Sequence, residues 1–173
     1  MNGKQKGSGY ERDICKRLSL WVSAGQHEDL FWRSAMSGGR ATVGLKRGVS
    51  LRQAGDICSV SPEGHALTNV FYCECKFYKS LDIAGFFLTG TGNLAGFWRV
   101  AVKEASKHKR EPMIIARQNR TPDLIILKPG AVKRLVDTKK LSGMVSLTKG
   151  KTPPAEVRFL ADVLSVPFIG SPT

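Results

Sequence analysis

Glu74-Cys75-Lys76 is the clearest place in the chain where residue types at close spacing could do chemistry. Extended backbone alternates faces, so between Val70 and Tyr78 the residues Phe71, Cys73, Cys75 and Phe77 share one side. Glu74 and Lys76 share the other. Taken alone, a carboxylate and an ammonium two residues apart make a cross-face ion pair. Asp56 changes that reading. If the segments around it and around Glu74 form a hairpin turning near His65, Asp56 comes opposite Glu74, and two adjacent carboxylates repel unless a cation lies between them. An all-oxygen site of this kind suits Mg²⁺, with Mn²⁺ as a substitute. Glu11 could add a third carboxylate. Equally, it could complete a capping box with Ser8, because Glu follows Ser at the required spacing.

These residues need elements to hold them. Tyr10, Ile14, Leu18 and Trp21 recur at helical spacing and predict a first helix from about Gly9 to Ser23. Phe31-Trp32-Arg33 reads as a short strand. Ala54 to Val60 and Asn69 to Tyr78 read as two further strands forming a hairpin, because Ser61-Pro62-Glu63-Gly64 suits a type I turn. Gly85 to Gly96 carries four glycines and reads as a loop, followed by a helix from Phe97 to His108 that ends before Pro112. Met113 to Arg117 and Asp123 to Leu127 read as a strand pair. Beyond Ala131 the signals weaken to a short helix at Ala131 to Val136, a strand at Met144 to Leu147 and a helix after Pro153-Pro154. The order up to Leu127 is α-β-β-β-α-β-β.

Asp56, seventeen residues, then Glu74-Cys75-Lys76, with a helix bearing Glu11 before and a helix and apolar strand after, resembles the PD-(D/E)XK nuclease superfamily. Lys6-Gly7-Ser8-Gly9-Tyr10-Glu11-Arg12 and Arg33-Ser34-Ala35-Met36-Ser37-Gly38 are similar to archaeal-type Holliday junction resolvases. The resemblance covers about residues 6 to 117. Two features depart from it: Gly55 stands where the superfamily has proline, and the basic loop between Gly39 and Gly55 is long. The resemblance implies a single α/β domain with a restriction-endonuclease-like mixed β-sheet flanked by helices. Residues 1 to 130 would form the core, with a basic loop at 34 to 55 and a C-terminal extension at 131 to 173 packed on it. It implies a metal held by Asp56, Glu74, the Cys75 backbone carbonyl and Glu11, directly or through water. Asp56, Glu74, Glu11 and Lys76 would be the catalytic set, with Lys76 orienting water or stabilising charge on the phosphorane. Arg33, Ser34, Ser37 and Arg40, with Lys46, Arg47 and Arg52 of the basic loop, would contact DNA phosphates. Junction cleavage would further imply a homodimer. The alternatives are a related nuclease acting in restriction, repair or at replication forks, and a non-cleaving DNA-binding accessory protein.

Composition agrees with a polyanionic partner. Lys and Arg total 27 against 14 Asp and Glu, a net charge of +13 in 173 residues. From Leu30 to Gly55 there are five basic residues and no acidic one, in a Gly- and Ser-containing stretch unlike a membrane-surface helix. No run reaches the roughly 20 apolar residues of a membrane span, and the polar N-terminus has no secretory h-region. The expectation is a soluble cytoplasmic protein, cellular or phage-encoded, with Cys15, Cys58, Cys73 and Cys75 as free thiols. Several motifs fail on inspection. Pro122-Asp123 has no Glu-x-Lys after it, Gly143 lies too far before Gly150-Lys151-Thr152 for a P-loop, and Cys73-x-Cys75 lacks partners for zinc.

Overall fold

The computed structural model describes residues 3–34, 54–142, 146–147, 150 and 152–170. Ser37, Arg40, Lys46, Arg47 and Arg52 of the basic stretch lie outside these.

The longest apolar stripe in the N-terminal region builds helix α1 (Gly3–Val22), which lays Tyr10, Ile14, Leu18 and Val22 on the core. The helix starts well before Gly9. Ser8 and Glu11 therefore lie inside it, and the capping box is corrected: a side chain in the helix body does not cap the first turn. Strand β1 (Phe31–Arg33) pairs antiparallel with β2 (Ile57–Ser59). A one-turn helix α2 (His65–Thr68) leads into β3 (Phe71–Tyr78), and α3 (Ile83–Leu88) and α4 (Gly92–Lys107) lead into β4 (Glu111–Gln118) and β5 (Leu124–Leu127). Short 3₁₀ turns at Ala131–Arg134 and Thr138–Lys140 precede β6 (Ser146–Leu147), β7 (Glu156–Phe159) and α5 (Leu160–Leu164).

Five strands form a mixed sheet in the order β3-β4-β5-β7-β6, with β3 and β4 parallel and the other pairs antiparallel. It is a single α/β domain whose central strands are covered on both faces, which is why β4 reads as one apolar run. Met113 and Ile115 face α1 in one cluster, while Ile114 and Ala116 face Leu94, Ala95, Trp98 and Ala101 of α4 in the other.

Three sequence expectations are overturned. The 54–60 segment does not form a hairpin with β3: β2 is occupied by β1, and α2 reverses the chain so that 54–56 meets β3 running parallel, through a bridge between Gly55 and Cys73. Gly85 to Gly96 is not one loop. It contains most of α3, N-capped by the Asp82 carboxylate, and the start of α4, with Gly85 and Gly92 leaving the room Asp82 needs. After Pro153-Pro154 the chain forms β7 before α5, because β5 has a free edge that Glu156–Phe159 fills.

Asp123 ties α1 to the sheet. Its carboxylate accepts from Tyr10 Oη at 2.9 Å and from Arg17 Nη1 at 2.6 Å. Removing it strands a buried phenol, whose ionisation is pushed far up first by burial and then by Asp123. Asp123→Ala is expected to cost about 2 kcal/mol in urea unfolding.

Candidate active site

Strand β3 lies at the edge of the sheet, and the face it turns toward α4 carries Tyr72, Glu74 and Lys76 where β4 carries apolar residues. Polar side chains at this edge are matched by the chain arriving beside it. Asp56 N–H donates to the Cys73 carbonyl at 2.8 Å, and the Asp56 carboxylate accepts from the Cys75 N–H at 2.8 Å. In an extended strand a residue's N–H and C=O point to the same side, so the Cys75 carbonyl also turns toward Asp56.

Gly55 makes this approach possible. Its φ is +89°, and a Cβ there would lie 2.5 Å from the Cys73 carbonyl oxygen. Proline, locked near φ −65°, could not take this conformation, which explains the departure at this position. Gly55→Ala is expected to push Asp56 off the sheet edge and lower the melting temperature by several degrees, checked by calorimetry.

The ammonium of Lys76 pairs with Glu74 Oε2 and lies 3.5 Å from Asp56 Oδ2. Asp56 is 8% exposed. Its carboxyl is pushed up to about 6, first by burial and then by the Glu74 charge, against the opposing pull of Lys76. Lys76 goes the other way: burial lowers it, but Asp56 and Glu74 together hold the ammonium well above the usual lysine range. The site is therefore rich in negative charge for its burial, and its donors are hard oxygens. That chemistry fits a divalent cation such as Mg²⁺. Among the described residues no cluster of three or more His, Cys, Asp or Glu side chains forms; the oxygen donors that come together here are the carboxylates of Asp56 and Glu74, beside the Cys75 backbone.

Glu11 faces the same region and adds to the upward push on Asp56, while its Oε2 accepts from Arg33 Nε at 3.0 Å. The helix brings it to the rim of the site, held by an arginine. Ser34 is buried, and its N–H donates to the Asp56 carbonyl at 2.8 Å. As a surface phosphate contact it is corrected: it fastens the end of β1 to Asp56. Cys73 and Cys75 are core residues with their thiols raised by burial, and all four cysteines are free.

Sequence reasoning missed the role of Tyr72. It donates from Oη to Glu74 Oε1 at 2.8 Å, and its ring stacks on His108 with centroids 5.6 Å apart. The alternation that pairs Glu74 with Lys76 also places Tyr72 on that face, two residues before Glu74, so the signal was present.

A buried aspartate reaching the edge strand of a mixed sheet, beside a Glu-x-Lys on that strand, is the layout of the PD-(D/E)XK class. The chain belongs to the family described as "Phage putative PDDEXK endonuclease", whose model matches residues 2–152. No curated protein and no solved structure matches the chain. Among the described residues no helix is long and apolar enough to cross a membrane.

Proposed function

We propose that this chain is a Mg²⁺-dependent DNA endonuclease, selective for branched DNA in the manner of a junction resolvase. The observation that carries the reading is the convergence of Asp56 and Glu74 on the Lys76 ammonium at the sheet edge. Asp56, Glu74 and the Cys75 carbonyl would hold the metal, which when bound would polarise the scissile phosphate and make the attacking water more acidic. Glu11 would approach it through water, since Arg33 already engages its carboxylate. Lys76 would orient the attacking water and stabilise charge gathering on the phosphate oxygens. Tyr72 would hold the Glu74 carboxylate in its rotamer, and Arg33 would bind the backbone phosphate next to the cut.

Resolving a junction needs two symmetric nicks, so the working form would be a C₂ homodimer. A DNA substrate and four free thiols support a reading in which the activity would act in the cytoplasm, in recombination or repair of DNA. Labelled four-way junctions and matched linear duplex, incubated with Mg²⁺ at a salt concentration that suppresses non-specific binding, test the reading. Paired symmetric nicks confined to the junction support it. Cutting of linear duplex moves the function to a restriction, repair or replication-fork nuclease, and binding without cutting under Mg²⁺ or Mn²⁺ leaves only an accessory protein.

A further inference from the structure

We propose that the cleft between α1 and β1 binds an unpaired nucleobase of the DNA strand beside the cut, with Trp32 as the stacking surface. This rests on the nuclease reading above and names the feature of the substrate that the site selects.

Trp32 is 63% exposed, whereas its neighbour Phe31 is 1% exposed, because strand alternation turns one ring into the core and the other outward. The outward ring is carried on rigid backbone. Trp32 is in register with Cys58 of β2, and its carbonyl accepts from the Cys58 thiol at 3.3 Å. Beside it opens a cleft of about 680 Å³, a size that suits one nucleotide. The buried Cys15 and Phe31 give it an apolar floor, and Arg12, Lys16 and Arg33 give it cationic walls. Among the described lining residues three cations face one carboxylate, Glu28, which pairs with Lys16 at 2.9 Å. Arg12 and Lys16 lie one turn apart on α1, so both present to the same side.

An apolar floor with an exposed indole suits the flat face of a base, and the cations suit the phosphates on either side of it. Bases within a duplex have no free face, so the occupant is an unpaired nucleotide at a branch, flap or mispair. The cleft is also joined to the reactive centre. Arg33 lines it while binding Glu11, and the next residue, Ser34, is hydrogen-bonded to the Asp56 carbonyl. A base held on Trp32 would fix which phosphate lies over Asp56 and Glu74.

The test uses the full chain in EDTA, so that no cleavage occurs, with oligothymidylate of about twelve nucleotides and a blunt duplex as probes. Of the three tryptophans, Trp98 is fully buried and the Trp21 indole N–H is bonded to the Val166 carbonyl, which leaves Trp32 to report on the ligand. Oligothymidylate is expected to quench the tryptophan emission while the duplex does not. Trp32→Ala is expected to lose the quench and bind the single strand about tenfold more weakly, with duplex affinity unchanged, and Trp32→Phe to recover most of it. Arg12→Glu, at an exposed helix position, is expected to weaken single-strand binding similarly. Unchanged single-strand affinity in Trp32→Ala, or a quench that survives it, overturns the proposal. If the wild type cuts DNA in Mg²⁺ and Trp32→Ala binds as before, the cleft fails alone. Trp32-dependent binding in a chain that cuts nothing removes the nuclease reading and leaves the cleft standing.

Discussion

Asp56→Asn is expected to abolish Mg²⁺-dependent cleavage and at the same time raise the melting temperature of the metal-free protein. The loss of cleavage follows from removing a charged oxygen donor. The gain in stability follows from the Asp56 carboxyl, raised to about 6 by burial and by Glu74. A group whose folded-state pKa lies above its unfolded value contributes stability below the unfolded pKa, and that contribution is lost as pH rises through the folded one. For Asp56 the loss runs between about pH 4 and pH 6 and amounts to roughly 3 kcal/mol. Asparagine keeps an oxygen for the Cys75 N–H but carries no charge, so it avoids the loss. Calorimetry at about pH 3.5, below the window, and at about pH 8 checks the sign: the variant and the wild type should differ little at the lower pH and by several degrees at the higher. A divalent cation that neutralises Asp56 would remove the same penalty, so Mg²⁺ should stabilise the wild type more at pH 8 than at pH 5 and should not stabilise the variant. A variant that melts lower than wild type at pH 8 would show that the Asp56–Lys76 attraction outweighs burial, and that the site does not need a metal to balance it.

Lys76→Ala is expected to slow cleavage by about 10²–10³-fold, the usual effect of removing one preorganised electrostatic group. DNA affinity in Ca²⁺ should change little, because Lys76 is mostly buried and pairs with two carboxylates. Affinity for the metal should move in the opposite direction from activity. The ammonium competes with any cation for Asp56 and Glu74, so its removal leaves a bare carboxylate pair that binds Ca²⁺ more tightly. In metal-free buffer the same variant should be less stable than wild type, since breaking a buried pair leaves its charges uncompensated. Isothermal titration of Ca²⁺ reads the first effect and thermal unfolding in EDTA the second. Loss of activity together with weaker Ca²⁺ binding would instead mean that Lys76 organises the site rather than acting in it.

The alternation of Phe71, Cys73, Cys75 and Phe77 against Glu74 and Lys76 was legible in the sequence because a strand has a period of two wherever it lies. So was the strand character of β4, since an unbroken apolar run from Met113 to Ala116 needs both faces covered. The pairing of Asp56 with Glu74 was also legible, but the route to it was not. A turn-like Ser61-Pro62-Glu63-Gly64 suggests a hairpin, and only the competition between β1 and β3 for the 54–59 segment decides which strand it joins. That choice depends on residues distant in the chain, which local spacing does not encode.

The sequence by itself determined which side chains could do the chemistry, because charge and hydrogen-bonding capacity belong to the residue. It also determined that Glu74 and Lys76 share a face. Tertiary structure alone decided that Gly55 takes a left-handed conformation so that Asp56 can reach Cys75, that Arg33 is turned onto Glu11, that Ser34 is buried, and that Trp32 is left outside beside three cations. The physical reason is common to all four. Each is the outcome of packing among elements far apart in the chain, where burial and distance set the electrostatics, and neither quantity exists until the chain has folded.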